Sequence, residues 1–211
     1  MGELASRFKV SSTPVREALH RLAGENLLMS IANRGFYSKV LTLDEMTELF
    51  VLSNILLQHA IAASSTLPNG ERNFRDPADL GHPLQLNRAL AAAQYIEGTL
   101  ERIAALSRNN SLSVMIRNFN DRTHYVRLLD LEFDDRRSRL LQQTKCLIDQ
   151  VEHQNSAGAL SNLDDQLRAG MACLPRLVKE GLARSYATAG TSLASSDRIA
   201  RFAWTVGRES H

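Results

Sequence analysis

The sequence predicts a mainly α fold: a small unit of two short helices and a β-hairpin, then an all-helical bundle. Three observations carry this. Apolar residues recur at helical spacing through most of the 211 residues. Only two short runs, 28–31 and 36–40, read as strands. After residue 42 the helical stretches are long and separated by short breaks, which implies antiparallel neighbours in a bundle.

Residues 3–8 make one or two turns of helix, broken at Lys9-Val10-Ser11-Ser12. Thr13 is a hydroxyl N-cap ahead of Pro14, whose missing N–H costs nothing at the first helical position. Val15, Ala18, Leu19, Leu22 and Ala23 then keep helical spacing, with Arg16, Glu17, His20 and Arg21 off that face. Gly24 and Asn26 end the helix. The two strands are joined by Ala32-Asn33-Arg34-Gly35, a turn with Gly35 where positive φ is needed. Helix, tight turn, helix and hairpin is the layout of a winged helix-turn-helix, here spanning residues 1–41.

Thr42-Leu43-Asp44-Glu45 is a capping box that opens a helix running to about Ala63. It is apolar nearly all round, through Met46, Leu49, Phe50, Leu52, Ile55, Leu56 and Ile61, which predicts that it is buried in a bundle. Residues 64–83, with three Pro and two Gly, read as a long irregular connection. Helices follow at 84–107, 111–131, 134–153 and 156–180, broken at Asn109-Asn110 and Gln154-Asn155. Residues 42–184 therefore form the bundle. Residues 185–211 read as a tail, in which Ser195 or Ser196 caps a short helix carrying Ile199, Phe202, Ala203 and Val206.

Composition narrows the class. The chain is 44% hydrophobic and 23% charged, a globular balance. Cys146 and Cys173 cannot make a disulfide framework, which makes a reducing cytoplasm the default. No unbroken apolar run reaches the ~18 residues of a membrane span, and the start does not read as a signal peptide. Net charge is only +2. Up to residue 43, Arg7, Lys9, Arg16, Arg21, Arg34 and Lys39 outnumber Glu3, Glu17 and Glu25, so the basic excess lies in the small unit. That is a weak pointer to nucleic acid.

Leu4-Ala5, the stretch from Val10 to Leu19 (Val-Ser-Ser-Thr-Pro-Val-Arg-Glu-Ala-Leu), Arg21-Leu22 and Leu27-Leu28 together resemble the signature of GntR-family repressors. The order of helices that follows resembles the FadR-type subgroup, whose FCD effector domain is an all-helical bundle. The resemblance implies a regulator that binds a double-stranded DNA operator as a homodimer and senses a small carboxylic acid or acyl derivative. It places Arg16 at the base edges, where Arg can bind guanine bidentately. Ser11, Ser12 and Thr13 fall at the phosphate-facing helix start. Arg21 follows on the same helix, and Arg34 and Gly35 fall on the wing. Ser12 stands where the family usually has Arg, which removes one contact. The family also has a further helix before the position of Leu4; without it, the apolar side of Leu4, Phe8, Val15 and Leu19 would be partly exposed.

Many FadR-type bundles hold a divalent metal through one Asp and three His. The local match over residues 100–110 places Glu97 and Glu101 at the Asp and first His positions, and Thr144 and Gln166 at the other two. No imidazole remains, so no metal and no cofactor is expected. The two glutamates either hold a hard cation with waters or are solvated or paired with arginine. Ser53 and Leu57 replace an Arg and a Glu of the family's first bundle helix. Glu97, Glu101, Arg117, Arg122, His124, Thr144 and Gln166 are the candidate effector-pocket residues. His124 reads most simply as a satisfied core histidine. Thr144 and Gln166 are polar groups on apolar faces, which either bond locally or line a pocket. A packed bundle without a ligand remains the alternative.

There is no Gly-rich phosphate loop and no Ser, His and Asp at suggestive spacing, so the chain does not read as an enzyme. Besides the regulator, the sequence is compatible with a helical ligand-binding or interaction protein that does not bind DNA.

Overall fold

The computed structural model describes residues 2–64 and 88–192, with side chains up to residue 187. The connection and the short terminal helix expected at 64–83 and 195–206 lie almost wholly outside the described residues. The chain divides into two compact units, Met1–Val40 and Leu41–His211.

In the first unit, helix α1 (Gly2–Phe8) and helix α2 (Ser12–Gly24) precede strands β1 (Leu28–Ile31) and β2 (Gly35–Ser38). The strands pair antiparallel, with Leu28 opposite Ser38 and Ile31 opposite Gly35. Lys9 adopts φ 54° and closes α1, with Val10 N donating to Ala5 O at 3.0 Å. Asn26, at φ 60°, closes α2 the same way, with Leu27 N donating to Leu22 O at 2.9 Å. Asn reaches this conformation at lower cost than most residues, so Asn26 rather than Gly24 is the stop. The expected start of α2 shifts by two residues. Ser11 is the N-cap, and Thr13 and Pro14 lie in the first turn, where a missing N–H is equally harmless. Gly35 does take positive φ, 105°.

Burial in this unit is shallow. Val15 is buried, Leu4 and Leu19 are half-buried, and Phe8 is exposed. The edge of His20 meets Phe36 at 4.9 Å and ties α2 to the hairpin.

The second unit comprises α3 (Leu43–Ser64), α4 (Arg88–Leu106), α5 (Asn110–Leu131), α6 (Asp134–Glu152) and α7 (Ser156–Ser192). Glu45 N donates to Thr42 Oγ1 at 3.3 Å, as the capping box requires, and Asn109 caps α5 by accepting from Leu112 N. Gln154 closes α6 at φ 59°.

Two expectations are corrected here. Helix α3 is not buried all round: Met46, Leu49, Leu57 and Ile61 enter the core, while Val51, Leu52 and Ile55 are exposed. Its neighbours α4, α5 and α7 cover one side only. By length and mean hydropathy α3 is apolar enough to cross a membrane, although Ser53, Asn54, Gln58 and His59 interrupt its apolar runs. Its buried face makes it a core helix. The tail expected from residue 185 is also corrected, since α7 continues to Ser192. Ser185 Oγ donates to Gly181 O, and Arg184 is held by Glu180 and Glu132.

Candidate functional site

Two places are candidates for functional chemistry, one in each unit. In the first, Ser11, Ser12, Thr13 and Arg16 are all exposed at the start of α2. Ser11 is extended, and its hydroxyl makes no capping bond. A helix start with unsatisfied N–H groups, free hydroxyls and an exposed guanidinium suits phosphate oxygens and a groove edge. Arg21 is exposed in the last turn of α2. Arg34 is exposed at the hairpin tip, where Tyr37 Oη donates to Arg34 O at 3.0 Å. Gly35 is half-buried beside it.

In the second unit a cavity of about 100 Å³ lies among α3, α4, α5, α6 and α7. Its walls are mostly apolar, with Phe50, Leu57, Ile96, Leu100, Leu163 and Leu174 among them. Three charged side chains join them: Arg127 and Asp130 from α5, and Arg136 from α6. Arg127 is 8% exposed and donates from Nη1 to Glu97 and from Nη2 to Thr123 Oγ1. Burial pushes its pKa down and Glu97 pushes it back up. Arg136 donates from Nε to Asp130 Oδ2 at 2.9 Å. Asn54 and Gln58 both donate to Asp164 Oδ1, at 3.0 and 2.7 Å.

Of the seven residues expected to line a pocket, Gln166 alone reaches the cavity wall; its Nε2 donates to Asn162. Glu97 lies behind the wall, paired with Arg127, and its Oε1 is 2.8 Å from His124 Nδ1. Glu101 accepts from Asn120 Nδ2 at 3.1 Å. The two glutamates therefore have protein partners, and no group of three or more His, Cys, Asp or Glu gathers among the described residues. Arg122 pairs with Glu45, and Arg117 is exposed. His124 is half-exposed rather than a core residue. Thr144 is buried but donates to Leu140 O in its own helix, so it needs no further partner.

Arg127, Asp130 and Arg136 were not expected. Their signal is phase: Thr123, Arg127 and Asp130 continue the buried line of Ile116 and Asn120 at helical spacing. A charge in register with a buried stripe is enclosed by the fold. Ser53 and Leu57, where the resemblance places an altered effector contact, do line the cavity.

Residues 1–37 match the model of the bacterial regulatory proteins of the gntR family. Among curated proteins, the Nta operon transcriptional regulator of Aminobacter aminovorans is 29% identical over 169 residues, covering 76% of this chain and 78% of that protein. The HTH-type transcriptional regulator YdhC of Bacillus subtilis is 22% identical over 192 residues, covering 85% of this chain and 82% of its own length. Among solved structures, E. coli McbR/YncC superposes with a TM-score of 0.59 at 19% identity, covering 83% of this chain and 85% of that one. That likeness is one of fold.

Proposed function

We propose that this chain, a transcriptional regulator of the GntR type and not an enzyme, binds its DNA operator sequence-specifically as a homodimer, with a small carboxylic acid in its helical unit as effector. The observation that carries the DNA-reading part is the exposed start of α2, where Arg16 stands beside Ser11, Ser12 and Thr13. Arg16 reads a base edge and the hydroxyls hold phosphates, while Arg34 and Gly35 shape the wing contact. Arg21 adds backbone attraction.

The effector reading rests on the cavity, where Arg127 and Arg136 offer cationic partners to a carboxylate in an otherwise apolar chamber. An all-helical second unit supports assignment to the FadR-type subgroup with its FCD domain. Two half-sites call for a two-fold dimer, and the exposed stripe Val51, Leu52 and Ile55 of α3 is the surface suited to a second copy. The regulator works in the cytoplasm.

Fluorescence anisotropy against a pool of genomic fragments at two salt concentrations tests the reading. Binding by a subset of fragments that survives the higher salt supports it. Binding lost equally for every fragment reports phosphate attraction alone and favours a helical ligand-binding protein without operator recognition.

A further inference from the structure

We infer that Arg136, and not Arg127, is the residue that grips the carboxylate of the effector, and that the cavity admits an acid of only one or two carbons, formate or acetate. The inference rests on the reading of this cavity as a carboxylate site and specifies both the anchor and the size of the ligand.

The two arginines on the wall differ in the donors they have left. Arg127 uses both terminal nitrogens inside the protein, Nη1 for Glu97 and Nη2 for Thr123 Oγ1. Its guanidinium carbon also lies 5.5 Å from the centre of the Phe119 ring. Arg136 uses only Nε, which donates to Asp130 Oδ2 at 2.9 Å. Its Nη1 and Nη2 have no partner among the described residues. The Arg136 side chain is 10% exposed, yet neither terminal nitrogen is sealed from solvent without a partner, as Asp130 Oδ1 and Arg122 Nε are. Both nitrogens therefore keep surface that a small ligand can reach. A guanidinium buried to this degree, with its fork open on a cavity wall, lacks only an acceptor.

The attachment of Arg136 fixes how it binds. It lies in the first turn of α6, and Asp130 lies in the last turn of α5, so the pair bridges the corner between the two helices. Contact through Nε leaves the end of the planar guanidinium free, and its two parallel N–H groups match the two oxygens of a carboxylate. Asp130 positions this fork and does not touch the ligand. Because Asp130 shares the same cation, affinity is modest.

Size sets the rest. A dry cavity of about 150 Å³ admits benzene, with six heavy atoms. In the same proportion, about 100 Å³ admits about four heavy atoms. Formate and acetate stay within that limit, and the mostly apolar wall suits the methyl group of acetate. A six-carbon acid exceeds it.

Isothermal titration calorimetry of the full chain tests this with acetate, hexanoate and acetamide. Acetamide has the size and shape of acetate without the charge, and hexanoate has the charge without the size. The expected result is acetate binding roughly tenfold or more tighter than either. That comparison needs no variant. Arg136→Lys keeps the charge beside Asp130 but loses the fork, and should weaken acetate by roughly tenfold. Acetate binding unchanged in Arg136→Lys overturns the role of Arg136 and leaves the carboxylate reading standing. Hexanoate binding at least as tightly as acetate overturns the size limit alone. Acetamide binding as tightly as acetate, or no binding by any of the three, overturns the anchor and the carboxylate reading together.

Discussion

Arg127 of α5 reaches across to α4 and donates to Glu97 while almost wholly withdrawn from solvent. Neither charge would be stable at that depth alone. The pair explains why two residues with no apolar character sit beside a packed core. It also removes Glu97 from the set of groups free to hold an ion.

Breaking this pair should be expensive. Glu97→Gln leaves the Arg127 guanidinium buried beside a neutral amide, and loss of one partner of a buried pair costs about 3–5 kcal/mol. The urea midpoint of the helical signal should fall accordingly. A change of less than about 1 kcal/mol, the scale of an exposed pair, would mean that solvent reaches Arg127.

Arg16→Ala should weaken operator binding by about 1–3 kcal/mol and relax preference at one base pair, while leaving the slope of affinity against salt almost unchanged. Arg21→Ala should instead lower the salt slope and weaken all sequences alike. Anisotropy titrations on a set of single-base operator variants separate the two effects. An unchanged isotherm for Arg16→Ala removes it from base reading.

Ile55 is the most exposed apolar residue of the α3 stripe, at 58%. Ile55→Glu should leave the monomer fold intact, since the side chain faces solvent in the single chain, but should halve the mass seen by light scattering at micromolar concentration. A variant whose mass matches the parent places the dimer surface elsewhere.

The Arg184 hydrogen bond holds the Glu132 carboxyl below its ordinary range. Because the folded value is depressed, the stabilisation is present above the ordinary carboxyl range and is lost as pH falls through the folded value. Glu132→Gln should therefore lower the melting temperature slightly at pH 7, and the difference should close towards pH 3. The effect should shrink in molar salt, as for any exposed pair. A difference that persists at pH 3 assigns it to something other than charge.

Much of the fold was legible because it is written in local chemistry. Asn26, Asn109 and the Gln154-Asn155 break stop or start helices through their own backbone preferences and side-chain bonds, and Gly35 marks the hairpin by the positive φ it adopts. The exposure of Arg16 was legible for the same reason, since it stands off the apolar face of a short helix. Where α7 ends was misread because small polar residues do not forbid a helix, and Arg184, held by Glu132 just past the end of α5, anchors it.

The sequence by itself determined the order of elements, the two-unit layout and the exposed polar start of α2, because spacing, caps and turns act within a few residues of chain. Tertiary structure alone decided which polar groups matter in the bundle. Thr144, in phase with the core, is satisfied within its own helix, and Glu97 is neutralised by a partner 30 residues away. Arg127, Asp130 and Arg136 line one cavity only because five helices close around them. Burial and pairing depend on what packs opposite, and a linear pattern of polar and apolar residues does not specify the opposite face.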